Sequence, residues 1–252
     1  MNCKVMGIVN VTPDSFSDGG KYFTPEEALR RAKNMVEEGA EIIDFGGEST
    51  RPGSEPIGWE DEWRRIARVV EAASGFCGGD ATVSVDTYHP ETALRAIEAG
   101  ATMINCVYDS AVPSMFEIIA SRPDVELVVP FRPGESAESK WGLADEEFKK
   151  FLPRLYLDPM IGFGTTRQED LSLLRTLPDL VSVGRVLVGA SRKRIVKKLT
   201  GEKTAGKNLG GNLGIAAWCV FNSVAAIRVH DVKETMQLIG VLETVGNQMN
   251  RN

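Results

Sequence analysis

Short apolar runs, many of them β-branched, alternate with amphipathic stretches along most of the chain. Runs of this length predict buried strands, and the stretches between them predict helices. The eight runs are Val5 to Val9, Ile42 to Phe45, Thr82 to Val85, Thr102 to Asn105, Val125 to Pro130, Leu155 to Leu157, Val186 to Val188 and Ala225 to Val229. Eight strands with mostly helical crossovers favour a (β/α)8 TIM barrel over an open doubly wound sheet, although periodicity alone does not decide closure.

The sequence predicts the helix boundaries of the first crossover clearly, but those of the fifth crossover poorly. The first helix has legible ends, with Thr24 as N-cap, Pro25 as first helical residue, Glu27 as capping-box partner and Gly39 as stop. The fifth crossover, Arg132 to Pro153, is rich in Pro, Gly and Ser and predicts one short helix around residues 145–151. We therefore expect a barrel with a shortened fifth crossover, formed as a single domain over residues 1–252.

Composition narrows the class of protein. The chain has 252 residues, 42% of them hydrophobic and 25% charged, and its net charge is −6. No basic run suggests a nucleic-acid surface, and no apolar run approaches a membrane span. No signal peptide precedes the first strand, so we expect a cytoplasmic protein that acts on small molecules. The four cysteines lack C-x-x-C spacing, which fits reduced thiols.

Polar residues follow seven of the eight predicted strands. In a parallel barrel these strand ends meet at one mouth, where function is carried. The residues are Asn10, the stretch from Asp44 to Gly53, Asp86, Asn105, Asp158, Ser191 to Lys193, and Arg228 to Asp231. One Asp or Asn after a strand is more often a turn former or helix cap, but repetition at seven ends favours a shared site.

Two chemically distinct sets emerge among these residues. A cationic set suits a phosphate or diphosphate group. Its members are Arg51, Lys193, Arg228 and His230. Asp86, Asn105 and Asp158 are acceptors and amides, which suit a flat heterocycle that presents N–H donors. Asn10 and the diphosphate would share a hydrated Mg²⁺, which binds mainly through substrate oxygens. Lys193 could instead belong to a solvated basic helix, and His89, before Pro90, is predicted to be a surface residue.

At this point the motifs resemble the dihydropteroate synthases of folate biosynthesis. The stretch from Gly7 to Gly20 reads GIVNVTPDSFSDGG, and the stretch from Asp44 to Gly53 reads DFGGESTRPG. DPMIGFG from Asp158, SRK from Ser191 and RVHDV from Arg228 follow in the family's order. The resemblance spans nearly the whole chain, and motifs of this length are highly specific.

The resemblance implies a transferase that condenses 6-hydroxymethyl-7,8-dihydropterin diphosphate with p-aminobenzoate, giving 7,8-dihydropteroate and pyrophosphate. It implies that Asp86, Asn105, Asp158 and Lys193 bind the pterin, and that Phe163 and Lys193 form the p-aminobenzoate site. It places Asn10, Arg228 and His230 on the diphosphate, with Mg²⁺ on Asn10 and further contacts from Thr50 and Arg51. The loop from Thr12 to Gly20 would close over the site. A homodimer is compatible with these features.

The chain departs from the family pattern at three single positions and one stretch. Cys106 replaces a usual Asp, Met160 a usual Gly and Thr165 a usual Lys, while Val129 to Phe131 replaces a Met-His-Met stretch. These changes lie on the pterin side of the predicted barrel. They leave open an alternative, a pterin-binding paralogue that lacks dihydropteroate synthase activity or uses a different acceptor.

Overall fold

The computed structural model describes residues 3–12, 24–49, 54–77, 79, 81–202, 204 and 206–249. Eight parallel strands within these ranges form one sheet in the order β6-β5-β4-β3-β2-β1-β8-β7. The strands are β1 (Lys4–Asn10), β2 (Ile42–Gly46), β3 (Thr82–Asp86), β4 (Met103–Asn105), β5 (Glu126–Pro130), β6 (Leu155–Asp158), β7 (Leu187–Val188) and β8 (Ala226–Val229). A parallel bridge between Leu157 and Val186 joins the two ends of the sheet and closes the barrel.

Helices surround the barrel and cover its outer face. They are α1 (Pro25–Glu37), α2 (Trp59–Cys77), α3 (Pro90–Glu98), α4 (Val112–Ala120), α5 (Ala137–Trp141), α6 (Asp145–Phe151), α7 (Arg167–Arg175), α8 (Leu177–Val181), α9 (Arg194–Thr200), α10 (Leu209–Phe221) and α11 (Val232–Met249). The predicted (β/α)8 barrel is therefore confirmed, with each predicted strand found to within about a residue at either end. Within the described ranges, the helices include none long and apolar enough to cross a membrane.

The first helix forms as its sequence predicts. Thr24 Oγ1 accepts a hydrogen bond from Glu27 N, and a Glu27 carboxylate oxygen accepts one from Thr24 N. Pro25 occupies the first helical position, and Gly39 follows the helix with φ at 101°, a conformation that glycine adopts without steric cost.

The fifth crossover is short, but it holds one more helix than predicted. In addition to α6 it contains α5, which is five residues long. Ser136 Oγ accepts from Ser139 N at the start of α5, and Gly142 ends the helix at φ 68°. The prediction of a single helix was wrong because the Pro, Gly and Ser residues that suggested a loop include these two caps. Trp141 anchors α5 by packing against aromatic rings that include Phe131.

Buried apolar side chains fill the barrel interior, so that its polar residues lie at the end formed by the carboxyl ends of the strands. A buried cluster takes one residue from each of seven strands. It consists of Met6, Ile42, Met103, Val128, Tyr156, Leu187 and Ala226. These side chains close the barrel like a packed core, so that chemistry is confined to the carboxyl ends of the strands.

Candidate active site

Strand register brings three predicted site residues into one row. Asn10 of β1 pairs with Gly46 of β2, Gly46 pairs with Asp86 of β3, and Asp86 pairs with Asn105 of β4. A Cβ at Gly46 would stand 3.6 Å from Asn10 Oδ1 and 3.7 Å from Asp86 Cβ. The glycine therefore leaves room for about one methyl group between Asn10 and Asp86 at the barrel mouth.

Arg228 enters this row from β8 and is held by two carboxylates. Its Nε lies 2.6 Å from Asp44 Oδ2, and its Nη2 lies 2.6 Å from Asp86 Oδ2. Asp44 is fully buried and also accepts hydrogen bonds from Ser84 Oγ at 2.6 Å and Asn105 Nδ2 at 3.0 Å. A buried carboxylate needs such partners, and Asp44 thereby fixes two residues of the row at once.

The electrostatics of the mouth favour a polar ligand. Burial raises the pKa of Asp86 to about 7, against the opposing effect of Arg228. Burial also raises the pKa of Asp158, while the charge of Lys193 lowers it. Carboxyl groups that lose hydration in this way gain from a ligand that donates hydrogen bonds to them.

The side-chain oxygen of Asn105 is available to accept a hydrogen bond from a ligand. Its side chain is almost fully buried, and its Nδ2 is used by Asp44, but its Oδ1 has no hydrogen-bond partner among the described residues. An unsatisfied buried carbonyl oxygen costs free energy, and a bound N–H donor would remove that cost. Asn105 therefore presents an acceptor suited to a heterocycle.

Lys193 lies on the opposite side of the mouth, at the N-cap of α9. Its Nζ donates to Ile161 O at 2.7 Å and lies 4.2 Å from the centre of the Phe163 ring. Burial lowers the pKa of Lys193 to about 8, and Asp158 acts against that shift. Lys193 thus lies partly buried at the mouth rather than on a solvated basic helix, in contrast to Arg194, which is exposed.

His230 is fixed by contacts on three of its atoms. Its Nδ1 lies 3.1 Å from Ser191 Oγ, and its backbone N–H donates to the same oxygen at 3.3 Å. Arg31 Nη2 donates to His230 O at 2.8 Å. These contacts tie the ends of β7 and β8 to α1, so His230 belongs to the same end of the barrel as Arg228.

The comparisons with known proteins agree with this geometry. The family model of the pterin binding enzymes matches residues 6–153 and 151–230. A dihydropteroate synthase of Streptococcus pyogenes is 35% identical over 96% of this chain and 95% of its own length. The solved structure of Xanthomonas albilineans dihydropteroate synthase with 4-aminobenzoic acid is 35% identical, with a TM-score of 0.82 over 97% of this chain and 93% of that chain. The chain belongs to the dihydropteroate synthase family.

As a member of the dihydropteroate synthase family, the chain is a transferase with a pterin-binding barrel. A second Xanthomonas albilineans structure, in complex with 7,8-dihydropteroate, has a TM-score of 0.79 and 32% identity over 97% of this chain and 94% of that chain. The agreement thus extends over the full barrel and is not limited to the two long motifs.

The structure brings most of the predicted site residues to one mouth. The residues it places there are Asn10, Asp86, Asn105, Asp158, Phe163, Lys193, Arg228 and His230. Thr50, Arg51 and the loop from Pro13 to Gly20 lie outside the described residues. Their predicted roles in diphosphate binding and in covering the dihydropteroate synthase site stay predictions.

Three features of the site escaped the sequence reasoning. Asp44, predicted to open the polar stretch after the second strand, lies inside β2 instead, and its contacts to Arg228 and Asn105 had no signal beyond a charged residue within an apolar run. The backbone carbonyl of Ile161 could not be predicted as a site group, because every residue has a backbone carbonyl and nothing in the sequence distinguishes this one. His89 is partly buried rather than a surface residue, since its Nε2 lies 3.1 Å from Ile57 O and 3.4 Å from Glu48 Oε2.

Cys106, which replaces a usual Asp of the family, carries no charge. It is fully buried, and burial raises the pKa of its thiol to about 12, so the thiolate does not form near neutral pH. Its Sγ faces Tyr108 O at 3.6 Å. The substitution therefore removes a carboxylate from the edge of the pterin side without adding a reactive group.

Proposed function

We propose that this chain joins p-aminobenzoate to 6-hydroxymethyl-7,8-dihydropterin diphosphate in folate biosynthesis, forming 7,8-dihydropteroate and releasing pyrophosphate. The observation that carries the proposal is the row of Asn10, Asp86 and Asn105 beside Arg228 and Lys193 at one barrel mouth. Related enzymes have been solved with 4-aminobenzoic acid and with 7,8-dihydropteroate, which supports both the acceptor and the product.

The pterin would be held by the acceptor side of the mouth. Asn105 Oδ1 lacks a partner, and the buried carboxyls of Asp86 and Asp158 gain from N–H donors. Lys193 supplies a donor, and its charge and that of Asp158 each favour the charged form of the other. A site with both kinds of group recognises a heterocycle whose edge carries donors and acceptors.

The p-aminobenzoate would bind beside the loop that follows β6. The Phe163 ring offers an apolar face, and Lys193 Nζ stands 4.2 Å from its centre. A flat aryl ring can pack on the phenyl group while its carboxylate stays near positive charge. Phe163 and Lys193 would thereby aim the arylamine at the reacting carbon of the pterin.

The diphosphate would be stabilised as it leaves by Arg228, His230, Arg51 and Thr50, of which the last two lie outside the described residues. Stabilising charge that develops on a leaving group is the main task in such a reaction. The loop from Thr12 to Gly20 would exclude water that competes with the arylamine.

Asn10 fits the proposed Mg²⁺ as a single protein ligand. Its side-chain oxygen lies at the barrel mouth beside Gly46, and the described residues contain no cluster of three or more His, Cys, Asp or Glu that could hold a metal by themselves. Mg²⁺ is commonly bound by one or two protein oxygens and the phosphates of a substrate. When bound, it would neutralise charge on the diphosphate.

The proposal extends to the form of the protein. We propose one barrel domain over residues 1–252, located in the cytoplasm, and a homodimer as its assembly. The continuous eight-stranded sheet supports the single domain.

A turnover assay tests the proposal. Purified protein with Mg²⁺, the pterin diphosphate and p-aminobenzoate is expected to form 7,8-dihydropteroate, and the rate is expected to fall when Mg²⁺ is chelated. Binding of the pterin without any product would instead identify the alternative, a pterin-binding paralogue. Product formed with another arylamine, but not with p-aminobenzoate, would identify a different acceptor.

A further inference from the structure

The loop between β6 and α7, residues 159–166, is fastened by a carboxylate that lies outside the site described above. Asp170 of α7 is fully buried. Its Oδ1 accepts hydrogen bonds from Gly162 N at 2.8 Å and from Thr165 Oγ1 at 2.5 Å. Hydrogen bonds to a buried carboxylate are strong, so these two contacts hold the loop firmly against α7.

Arg194 fastens the same loop from the other side. Its Nη2 donates a hydrogen bond to Thr165 O and lies 3.9 Å from Asp170 Oδ2. Arg194 directly follows Lys193 at the start of α9. The start of α9 and the loop are thereby joined through Thr165 and Asp170.

The loop in turn determines the surroundings of Lys193. It offers the carbonyl of Ile161 and the ring of Phe163 to Lys193 Nζ. Gly162, which lies between them, has φ at 80°, and a Cβ at this position would stand only 2.9 Å from Lys193 Cδ. The Lys193 side chain therefore packs directly on the backbone that Asp170 holds.

We infer that Asp170 is a positioning residue for the arylamine half of the site. By holding Gly162 and Thr165 it sets Phe163 and Ile161 against Lys193, and so it sets the place of the aromatic amine. This inference rests on the proposed function. Small displacements of positioning groups have large effects on rate, because the reacting atoms must meet within narrow limits.

Asp170 also acts on Lys193 through its charge. The charged groups that face Lys193 come from four elements or their ends: Asp158 at β6, Asp86 at β3, Arg228 at β8 and Asp170 on α7. The three carboxylates raise the pKa of Lys193, whereas Arg228 lowers it. Loss of the Asp170 charge should therefore lower the pKa of Lys193 further.

Four variants separate positioning from simple support of the fold. Asp170→Asn keeps the shape but removes the charge, and Thr165→Val removes the hydroxyl donor. Thr92→Val is a matched control, because Thr92 is a buried threonine of α3 whose hydroxyl bonds the Trp59 carbonyl. Thr165→Ser restores the hydroxyl and should restore the wild-type values.

Steady-state kinetics give the main result. Asp170→Asn and Thr165→Val should raise KM for p-aminobenzoate about tenfold, and raise it more than KM for the pterin diphosphate. In Asp170→Asn the alkaline limb of the pH–rate profile should also move to lower pH. If both variants match Thr92→Val in both KM values, and the limb does not move, the inference is wrong.

Hydrogen exchange gives a result that does not depend on turnover. The amide of Gly162 should exchange faster in Asp170→Asn and in Thr165→Val than in the wild type or in Thr92→Val. A wild type that forms no product but shows this pattern would contradict the proposed function and leave the loop contact supported. Unchanged exchange in an active enzyme would overturn the inference alone.

Discussion

Arg228 Nε lies 2.6 Å from Asp44 Oδ2, in an ion pair whose carboxylate is fully buried and whose arginine side chain is 17% exposed at the barrel mouth. Asp44 also accepts from Asn105 Nδ2, while Arg228 extends to Asp86. The Asp44 carboxylate is not exposed to a ligand, yet it orients three side chains, those of Ser84, Asn105 and Arg228. We expect Asp44 to matter for activity without touching substrate.

Asp44→Asn should destabilise the protein and reduce turnover. The change leaves Arg228 with a single carboxylate, and breaking a buried ion pair costs about 3 kcal/mol. Because Arg228 and Asn105 lose their common anchor, kcat/KM should fall about 100-fold. Urea unfolding and steady-state kinetics measure the two effects.

A matched ion pair provides the control for Asp44. Arg185 Nη1 and Glu126 Oε1 are also 2.6 Å apart, but they lie at the opposite end of the barrel, with side chains 33% and 25% exposed. Glu126→Gln should cost less than about 1 kcal/mol and leave kcat/KM unchanged. Equal losses of activity in the two variants would contradict the role assigned to Asp44.

Lys193→Ala should reduce turnover sharply. The change removes a cation that contacts Ile161 O and the Phe163 ring, and that serves both substrates in the proposed site. Lys198→Ala is the control, because Lys198 is an exposed residue of α9 one turn further along. We expect a drop of about 100-fold in kcat for the first variant and none for the second. Unchanged turnover in Lys193→Ala would remove Lys193 from the mechanism.

The same lysine predicts how activity depends on pH. Its pKa is lowered to about 8, so Lys193 is protonated below this pH and loses its charge above it. Activity that needs the cation should therefore fall as pH rises through about 8. The shift also affects stability: its contribution is present above pH 10.5, the ordinary pKa of a lysine, and is lost as pH falls through about 8.

A charge-retaining variant tests this assignment. Lys193→Arg keeps a positive charge throughout the range, so its pH–rate profile should lack the alkaline limb even where its rate is low. A limb near pH 8 that persists in Lys193→Arg would assign the titration to another group.

The outline of the barrel was predictable because it depends on apolar periodicity and on polar strand ends. Asn10, Asp86, Asn105 and Asp158 each follow a run of apolar residues, and each lies where that pattern places it. Asp44 was not predictable in this way, since its partners Ser84 and Arg228 are 40 and 184 residues away in the chain. Contacts of that range, and contacts to backbone carbonyls such as Ile161 O, depend on the assembled fold.

Asn105→Leu should weaken pterin binding without unfolding the protein. The change removes the acceptor Oδ1, which has no partner among the described residues. An N–H group of the bound pterin would then lack a hydrogen-bond acceptor. Affinity for the pterin, measured by titration calorimetry, should fall by about 1–3 kcal/mol. Ser84→Ala is the control, since it removes another hydrogen bond to Asp44 at the same depth. Equal loss of affinity in both would indicate that only support of Asp44 matters.

Met160 combines two opposing contributions to stability. It has φ at 63°, where a side chain costs about 1–2 kcal/mol, yet that side chain is buried, which stabilises the fold by about 1.5–3 kcal/mol. Because burial outweighs strain, Met160→Gly should destabilise the protein by about 1 kcal/mol in urea unfolding. Met160→Ala keeps the strained backbone and loses most of the buried surface, so it should be less stable than the glycine variant by about 1 kcal/mol. A glycine variant more stable than the wild type would mean that strain outweighs burial at this position.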